Sequence, residues 1–120
     1  MRRRSLAVVP AVLTLLLAGC ASSANLPPVY SPPHAPSAKA VQEGVRKAAT
    51  EAKLTGGLET TAVRPINHGP GSYFVCLRQR GGPSDRHPVY SVFFDDESYK
   101  GLQSAVIFDA CEAQPWVPLN

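Results

Sequence analysis

A proline-rich segment divides the chain and limits what can fold after it. Residues 21–37 read ASSANLPPVYSPPHAPS, with five prolines, no charged side chain and no hydrophobic periodicity. Such sequences favour an extended polyproline II conformation over packing into a core, which is typical of a tether. Of the 120 residues, 83 follow this segment, at positions 38–120. A chain of that size forms one small domain, close to the length at which a single core gives marginal stability.

The N-terminal residues have the order of an export signal. Arg2, Arg3 and Arg4 form a basic head, and the apolar run LAVVPAVLTLLL follows at residues 6–17. This run is too short for a transmembrane helix, which needs roughly 20 apolar residues. A basic head, a short apolar middle and small residues at the end are the parts of a secretory signal peptide. We therefore expect residues 1–19 to be removed by cleavage.

The signal closes on Leu17, Ala18, Gly19 and Cys20. These residues resemble the lipobox of bacterial lipoproteins, in which the cysteine is diacylated, signal peptidase II cuts before it and the new amino terminus is acylated. The resemblance implies a covalent diacylglycerol and an N-linked acyl chain such as palmitate on Cys20, and no other cofactor. Several acyl chains give stable anchoring, so the bilayer is a partner through Cys20. The alternative is an ordinary signal peptide with a chance cysteine.

The residue after the cysteine bears on location. Ala21 stands where, in Gram-negative lipoproteins, an aspartate favours retention in the inner membrane. By the same resemblance, we expect a lipid-anchored protein of the bacterial cell envelope, in the outer membrane and facing the periplasm. Cys20 and the proline-rich tether would then occupy residues 20–37, and the periplasmic domain residues 38–120.

The net charge lies in the segment expected to be removed. The chain has 12 Lys+Arg against 9 Asp+Glu, a formal net charge of +3. Three of the 12 are Arg2, Arg3 and Arg4, so the mature chain carries nine charges of each sign and is neutral. Binding to nucleic acid relies on a basic surface that neutralises phosphates. We therefore expect no nucleic-acid partner.

The domain begins with a helical pattern. Alanine and valine recur at helical spacing from Ala38 to Ala52, with charged residues of both signs on the other faces. Ser37 is a suitable N-cap, and the pair Gly56-Gly57 is a stop signal. The pattern predicts one amphipathic helix of about 17 residues.

A β-like pattern follows the two glycines. Alternating apolar residues predict strands at residues 73–80, 89–95 and 102–108, with a turn at 96–101, and Pro65 limits a weaker strand at 58–66 to a sheet edge. The predicted class is α+β, with one N-terminal helix packed on a three- to four-stranded antiparallel meander.

The cysteines predict a covalent staple. With Cys20 assigned to lipid, an even pair remains, Cys76 and Cys111. An even pair in an exported chain implies a disulfide, and two cysteines allow only one connectivity. This bridge would tie the C-terminal segment to the sheet of a small domain. A redox role is the alternative, but the pair is not spaced as Cys-x-x-Cys.

The chain has no sequence signature of catalysis or of a metal centre. It lacks Gly-x-Ser-x-Gly, and His68 and His87 lie in turn sequences that predict loop histidines. Zinc-type spacings are absent, and the acidic residues 95–97 lack the alternation and the glycine of a calcium loop. We therefore expect a protein that is not an enzyme and holds no metal.

One surface cluster is a candidate binding patch. Arg78, Arg80 and Arg86 surround the loop after the first strong strand, with Arg64 as a further candidate. Such a patch suits anionic lipid headgroups, peptidoglycan carboxylates or an acidic protein surface. The alternative is a solvated strand end balanced by nearby aspartates.

The C-terminal half also resembles small bacterial envelope lipoproteins to which no activity is assigned. The resemblance lies in Cys76-Leu77-Arg78, the aromatic strand at residues 90–94, and Asp109-Ala110-Cys111-Glu112. We expect a non-catalytic binding or scaffolding module whose partner is an envelope protein or peptidoglycan. The alternatives are a small envelope inhibitor of the lysozyme-inhibitor kind, acting through the loop at 81–88, and a small hydrolase.

Overall fold

The structure is a computed structural model that describes residues 27–81 and 88–119. The elements below belong to the compact unit Ser31–Asn120. In chain order they are α1 (Ala38–Glu51), β1 (Leu58–Thr60), β2 (Arg64–Pro65), β3 (Tyr73–Gln79), β4 (Tyr90–Asp95), β5 (Ser98–Ser104), two short 3-10 helices (Ile107–Asp109 and Cys111–Ala113) and β6 (Val117–Pro118). One helix packed on antiparallel strands confirms the predicted α+β class.

The strands form one sheet in which every pairing is antiparallel. The order is β5-β4-β3-β1-β6, and β2 also pairs with β3. The sheet has six strands where three to four were predicted, for two reasons. The strand predicted at 58–66 is divided into β1 and β2 after Thr60. At Thr61 the side chain replaces the backbone as acceptor, since its Oγ1 accepts from the N–H of Cys76 at 2.9 Å while its own N–H donates to the Cys76 carbonyl at 3.1 Å. The second addition is the two-residue β6, which lies beside β1.

Helix α1 begins where the sequence predicts and ends earlier. The Oγ of Ser37 accepts a hydrogen bond from the N–H of Ala40 at 3.2 Å, which caps the first turn. Small buried residues, among them Gly44 and Ala48, face the sheet. The last helical residue is Glu51, since Lys53 adopts a left-handed conformation with φ of 57°. The Ala/Val stripe therefore lets the helix lie close to the sheet, as its small side chains suggest.

The two central strands are buried on both faces. Val75 and Val92 face α1, in the larger core cluster. Phe74 and Phe93 face the opposite side, where they pack with the disulfide. We call this second side the disulfide face. The C-terminal segment covers part of it, and the candidate functional site lies there.

The C-terminal hairpin corrects the predicted boundaries. The predicted returning strand exists as β5, but the predicted turn at 96–101 is too long and the predicted strand at 102–108 begins and ends too late, because β4 and β5 are joined by only Asp96 and Glu97 and β5 ends at Ser104. Asp96 takes the left-handed conformation, with φ of 50°, that a two-residue connection favours. Strand β5 is an edge strand with mostly polar residues, so its hydrophobic pattern is weak. The apolar residues 106–108 lie beyond its end and project into solvent.

The end of the proline-rich segment contacts the domain. The backbone N–H of His34 donates to Oδ1 of Asp96 at 2.8 Å, and the N–H of Ser37 donates to Oε1 of Glu97 at 3.1 Å. Pro36 is buried. Residues 31–37 thus belong to the compact unit, which begins ahead of the predicted boundary at Ala38.

A close approach at Gly71 yields a stability prediction. A Cβ at this position would lie 2.7 Å from the carbonyl oxygen and 2.8 Å from the nitrogen of Phe94. Because these are backbone atoms of a central strand, Gly71→Ala should lower the free energy of unfolding by about 1–3 kcal/mol, as measured by urea denaturation. The control is Gly57→Ala, where a Cβ would meet only the Arg80 side chain at 3.5 Å. Equal effects of the two substitutions would contradict the packing described here.

Candidate functional site

A buried carboxylate organises the disulfide face. The side chain of Asp109 is only 2% exposed. Its Oδ2 accepts hydrogen bonds from the Oγ of Ser91 at 2.6 Å and from the N–H of Val106 at 3.2 Å. Its Oδ1 lies 2.8 Å from Nε2 of His68. Asp109 therefore joins β4, the loop before β3 and the start of the first 3-10 helix.

These contacts explain the ionisation of Asp109. Burial by itself would raise the pKa of this carboxyl group. The hydrogen bonds from Ser91, Val106 and His68, together with the charge of His68 when protonated, outweigh burial and hold the pKa below its ordinary value. The group is therefore an anion at neutral pH, held by three donors.

The grouping of Ser91, His68 and Asp109 differs from a catalytic triad. In a triad the histidine lies between the serine and the carboxylate and takes the serine proton. Here Ser91 and His68 both bind Asp109, and Ser91 is fully buried. The hydroxyl of Ser91 thus serves as a donor to the carboxylate and is not presented to a substrate. The arrangement holds a loop in place.

Arg64 binds the same segment from β2. Its Nη2 donates to the backbone carbonyl of Asp109 at 2.5 Å and lies 3.5 Å from Sγ of Cys76. The guanidinium carbon stacks 4.6 Å from the ring centroid of Phe74. Arg64 therefore holds the chain next to Cys111 without using the Asp109 carboxylate.

The predicted disulfide is confirmed. Cys76 and Cys111 are bonded, with their Cα atoms 5.8 Å apart and 35 residues between them in sequence number. Cys76 lies in β3 and Cys111 begins the second 3-10 helix. The C-terminal segment is thus attached to the sheet covalently at Cys111 and by hydrogen bonds at Asp109.

Between these attachments and β5, the chain presents apolar side chains to solvent. Ile107 is 94% exposed, Phe108 is 93% exposed and Val106 is 50% exposed. We call residues 106–108 the apolar loop. Its shape is fixed, because the N–H of Asp109 donates to the Val106 carbonyl at 2.9 Å and Val106 in turn donates to Asp109. Adjacent large apolar side chains in such exposure mark interaction sites.

A cleft of about 440 Å³ lies beside the apolar loop. Its lining combines charged, polar and apolar side chains, among them Arg64, Ile66, Asn67, His68, Phe74 and Phe108. The side chain of His68 is 41% exposed, and its Nε2 faces Asp109. We call this space the Arg64 cleft.

The arginines of the predicted patch have separate environments. Arg78 forms an ion pair with Glu59 at 2.8 Å, and its guanidinium stacks 4.1 Å from the ring centroid of Trp116. Arg80 is exposed at the end of β3. Residues 82–87 lie outside the described residues. They include Arg86 and most of the loop considered for an inhibitor.

Arg64 stands beside a different part of β3 from Arg78. It is paired with Phe74 on β3, whereas Glu59 is paired with Arg78 four residues further along the same strand. At about 3.3 Å per residue, the four-residue step from Phe74 to Arg78 along β3 is about 13 Å. A binding patch around Arg78, Arg80 and Arg86 stays a prediction, with the charge of Arg78 already compensated by Glu59.

His68 and Asp109 form the part of the site that sequence reasoning missed. The sequence predicts His68 as a loop histidine, and Asp109 enters only through its resemblance motif. The two residues are 41 positions apart, and no local pattern links them. The available signal was an aspartate two residues before a disulfide cysteine, which is too common to identify a site.

Among residues 27–81 and 88–119, no group of three or more histidine, cysteine, aspartate or glutamate side chains is placed to hold a metal ion. No helix in the same ranges combines the length and apolar character needed to cross a membrane. Cys20 lies outside them. No protein-family model, curated protein or solved structure matches the chain.

Proposed function

We propose that the chain is a lipid-anchored lipoprotein of the bacterial envelope that acts as a non-catalytic binding module. The anchor is supported by the lipobox-like residues Leu17 to Cys20, in the context of a basic head and a short apolar run. The disulfide between Cys76 and Cys111 suits an oxidising compartment such as the periplasm. The residue after the cysteine supports placement in the outer membrane.

The observation that carries the binding role is the apolar loop. Ile107 and Phe108 are almost fully exposed, although the backbone that bears them is held by buried contacts on each side. A surface whose shape is fixed before binding loses little conformational entropy on contact with a partner. Large apolar side chains at the centre of a contact supply much of its binding energy. The disulfide face is therefore the proposed binding face.

The non-catalytic role is supported by how the polar groups are used. Ser91, the hydroxyl nearest to a histidine–aspartate pair, is buried and donates to the carboxylate. Asp109 makes all its hydrogen bonds to groups of its own domain. Each of these groups stabilises the position of the apolar loop. The partner would be an envelope protein or a component of peptidoglycan.

Lipidation is tested at Cys20. In cells fed labelled palmitate, the wild-type chain should incorporate the label, and Cys20→Ala should lose it completely because the alanine has no thiol to acylate. The intact mass of the purified wild type should correspond to a chain starting at Cys20 with its acyl groups. The control is Ser22→Ala, which leaves the four lipobox residues unchanged and should be labelled normally. Label retained by Cys20→Ala would refute the lipobox interpretation.

A further inference from the structure

The charge of Arg64 is not compensated by a neighbouring carboxylate. The ion pairs of the described residues do not include Arg64. Within that part of the chain only Nη2 of its guanidinium makes hydrogen bonds, to a backbone carbonyl and a disulfide sulfur. Its Nε is buried without a hydrogen-bond partner among the same residues. Because no carboxylate among those residues compensates its charge, this guanidinium favours a ligand that accepts hydrogen bonds and carries negative charge.

The nearest acid does not fill this role. Both carboxylate oxygens of Asp109 are already bound, Oδ2 by Ser91 and Val106 and Oδ1 by His68. Arg64 contacts the carbonyl of Asp109 instead. Asp109 also lines the Arg64 cleft, but its carboxylate is bound by groups of the domain, whereas the guanidinium of Arg64 has no carboxylate partner among the described residues.

The apolar walls of the Arg64 cleft favour a ligand that has an apolar part as well as a negative charge. Phe108 stands at its edge with 93% of the side chain exposed, and Ile66 and Phe74 line it from the loop and the sheet. A ligand that reaches Arg64 therefore passes an apolar surface, and covering Phe108 would remove that surface from water. An inorganic anion would use only the guanidinium.

We propose that the Arg64 cleft binds a carboxylate that has an apolar group next to it, as at the C-terminus of a peptide ending in an apolar residue. The carboxylate would accept hydrogen bonds from Arg64, and the apolar group would pack on Phe108. This inference rests on the proposed function, because it assigns a ligand class to the same binding face. It differs from the patch at Arg78, whose charge is paired with Glu59.

The test uses two matched probes and nuclear magnetic resonance. N-acetylphenylalanine and its uncharged amide are titrated separately into the ¹⁵N-labelled full-length chain in detergent micelles. The acid should give saturable shifts at residues 64–68 and 108–109, with an affinity about tenfold higher than that of the amide, because only the acid forms charge-assisted hydrogen bonds. Inorganic phosphate serves as a third probe and should bind more weakly than the acid.

Three variants locate the binding. Arg64→Gln should abolish the preference for the acid over the amide. Phe108→Ala should weaken binding of both probes by about the same factor, and its exposed position leaves folding intact. Val117→Ala is the control, because Val117 is an exposed apolar residue that lies outside the apolar loop and does not line the Arg64 cleft. It should bind both probes as the wild type does.

Equal affinity for acid and amide, equal affinity for phosphate and acid, or no saturable shift at these residues would each overturn the proposal. The titration does not depend on the anchor. Its failure would therefore leave the palmitate result at Cys20 standing, and a failure of palmitate labelling would not alter the titration.

Discussion

Replacing Asp109 with alanine should lower the free energy of unfolding by about 3–5 kcal/mol, the range found when one partner of a buried charged network is removed. The loss arises because the hydroxyl of Ser91 and the N–H of Val106 would be left without an acceptor inside the domain. Urea denaturation followed by circular dichroism measures it. The control is Glu112→Ala, an exposed acid three residues away, which should change stability by less than about 0.5 kcal/mol.

The variant Asp109→Asn keeps the size of the side chain and removes its charge, so it tests the contribution of the charge by itself. The amide oxygen of Asp109→Asn can still accept hydrogen bonds from Ser91 and Val106, so this variant should be less destabilised than Asp109→Ala. The pKa of Asp109 is lowered from 3.8 in the folded chain. Its charge therefore stabilises the fold above about pH 4, and that contribution is lost as the pH falls through the lowered pKa.

The difference in stability between the wild type and Asp109→Asn should accordingly shrink as the pH falls below about 4. The side chain of asparagine does not ionise in this pH range, so the stability of Asp109→Asn does not include the contribution of an ionised carboxylate. A difference that stays constant from pH 7 to pH 3 would contradict the assignment of Asp109 as a buried anion.

Removal of the disulfide should have an effect of similar size. The double substitution Cys76→Ala with Cys111→Ala opens a loop of 35 residues, for which the chain-entropy model gives about 4 kcal/mol of lost stability. Domains of this size have total stabilities of about 5–15 kcal/mol, so the midpoint of urea unfolding should fall greatly. Reduction of the wild type with dithiothreitol provides the matched comparison and should give a similar midpoint. An unchanged midpoint would mean that the bridge contributes nothing to the fold.

The two perturbations should also interact. Asp109 and Cys111 hold the same short segment and lie two residues apart. Once either contact is lost, the remaining contact therefore contributes less to the stability of the domain. The triple variant should therefore lose less stability than the sum of the separate losses. Strict additivity would show that the segment is held by two independent contacts.

The central strands could be predicted from the sequence because burial on both faces gives them a strong apolar and aromatic content. Residues 73–80 and 89–95 were assigned correctly to within a residue or two, as β3 and β4. The bounds of β5 were harder to predict, because an edge position leaves this strand mostly polar and only residues 102–104 of the predicted strand at 102–108 belong to it. Residues 106–108 form the exposed apolar loop, and periodicity does not distinguish such a loop from a strand.

The disulfide could be predicted because only two cysteines remained once Cys20 was assigned to lipid. The network around Asp109 could not, since it joins residues from three distant parts of the chain. Each of its members is ordinary in its local sequence. Only the sheet, which places Ser91 and the loop at His68 on the same face, brings them to one carboxylate.

We propose that the apolar loop lies at the centre of the binding face of an anchored envelope protein. The most direct test replaces Phe108 with the photo-crosslinking residue p-benzoylphenylalanine in the full-length chain, expressed in living cells. The same residue is placed at Gln42, on the exposed side of α1, as a control. We expect a discrete crosslinked product of higher mass from position 108 that is absent from position 42. Identical products from the two positions, or none from position 108 in a folded chain, would contradict it.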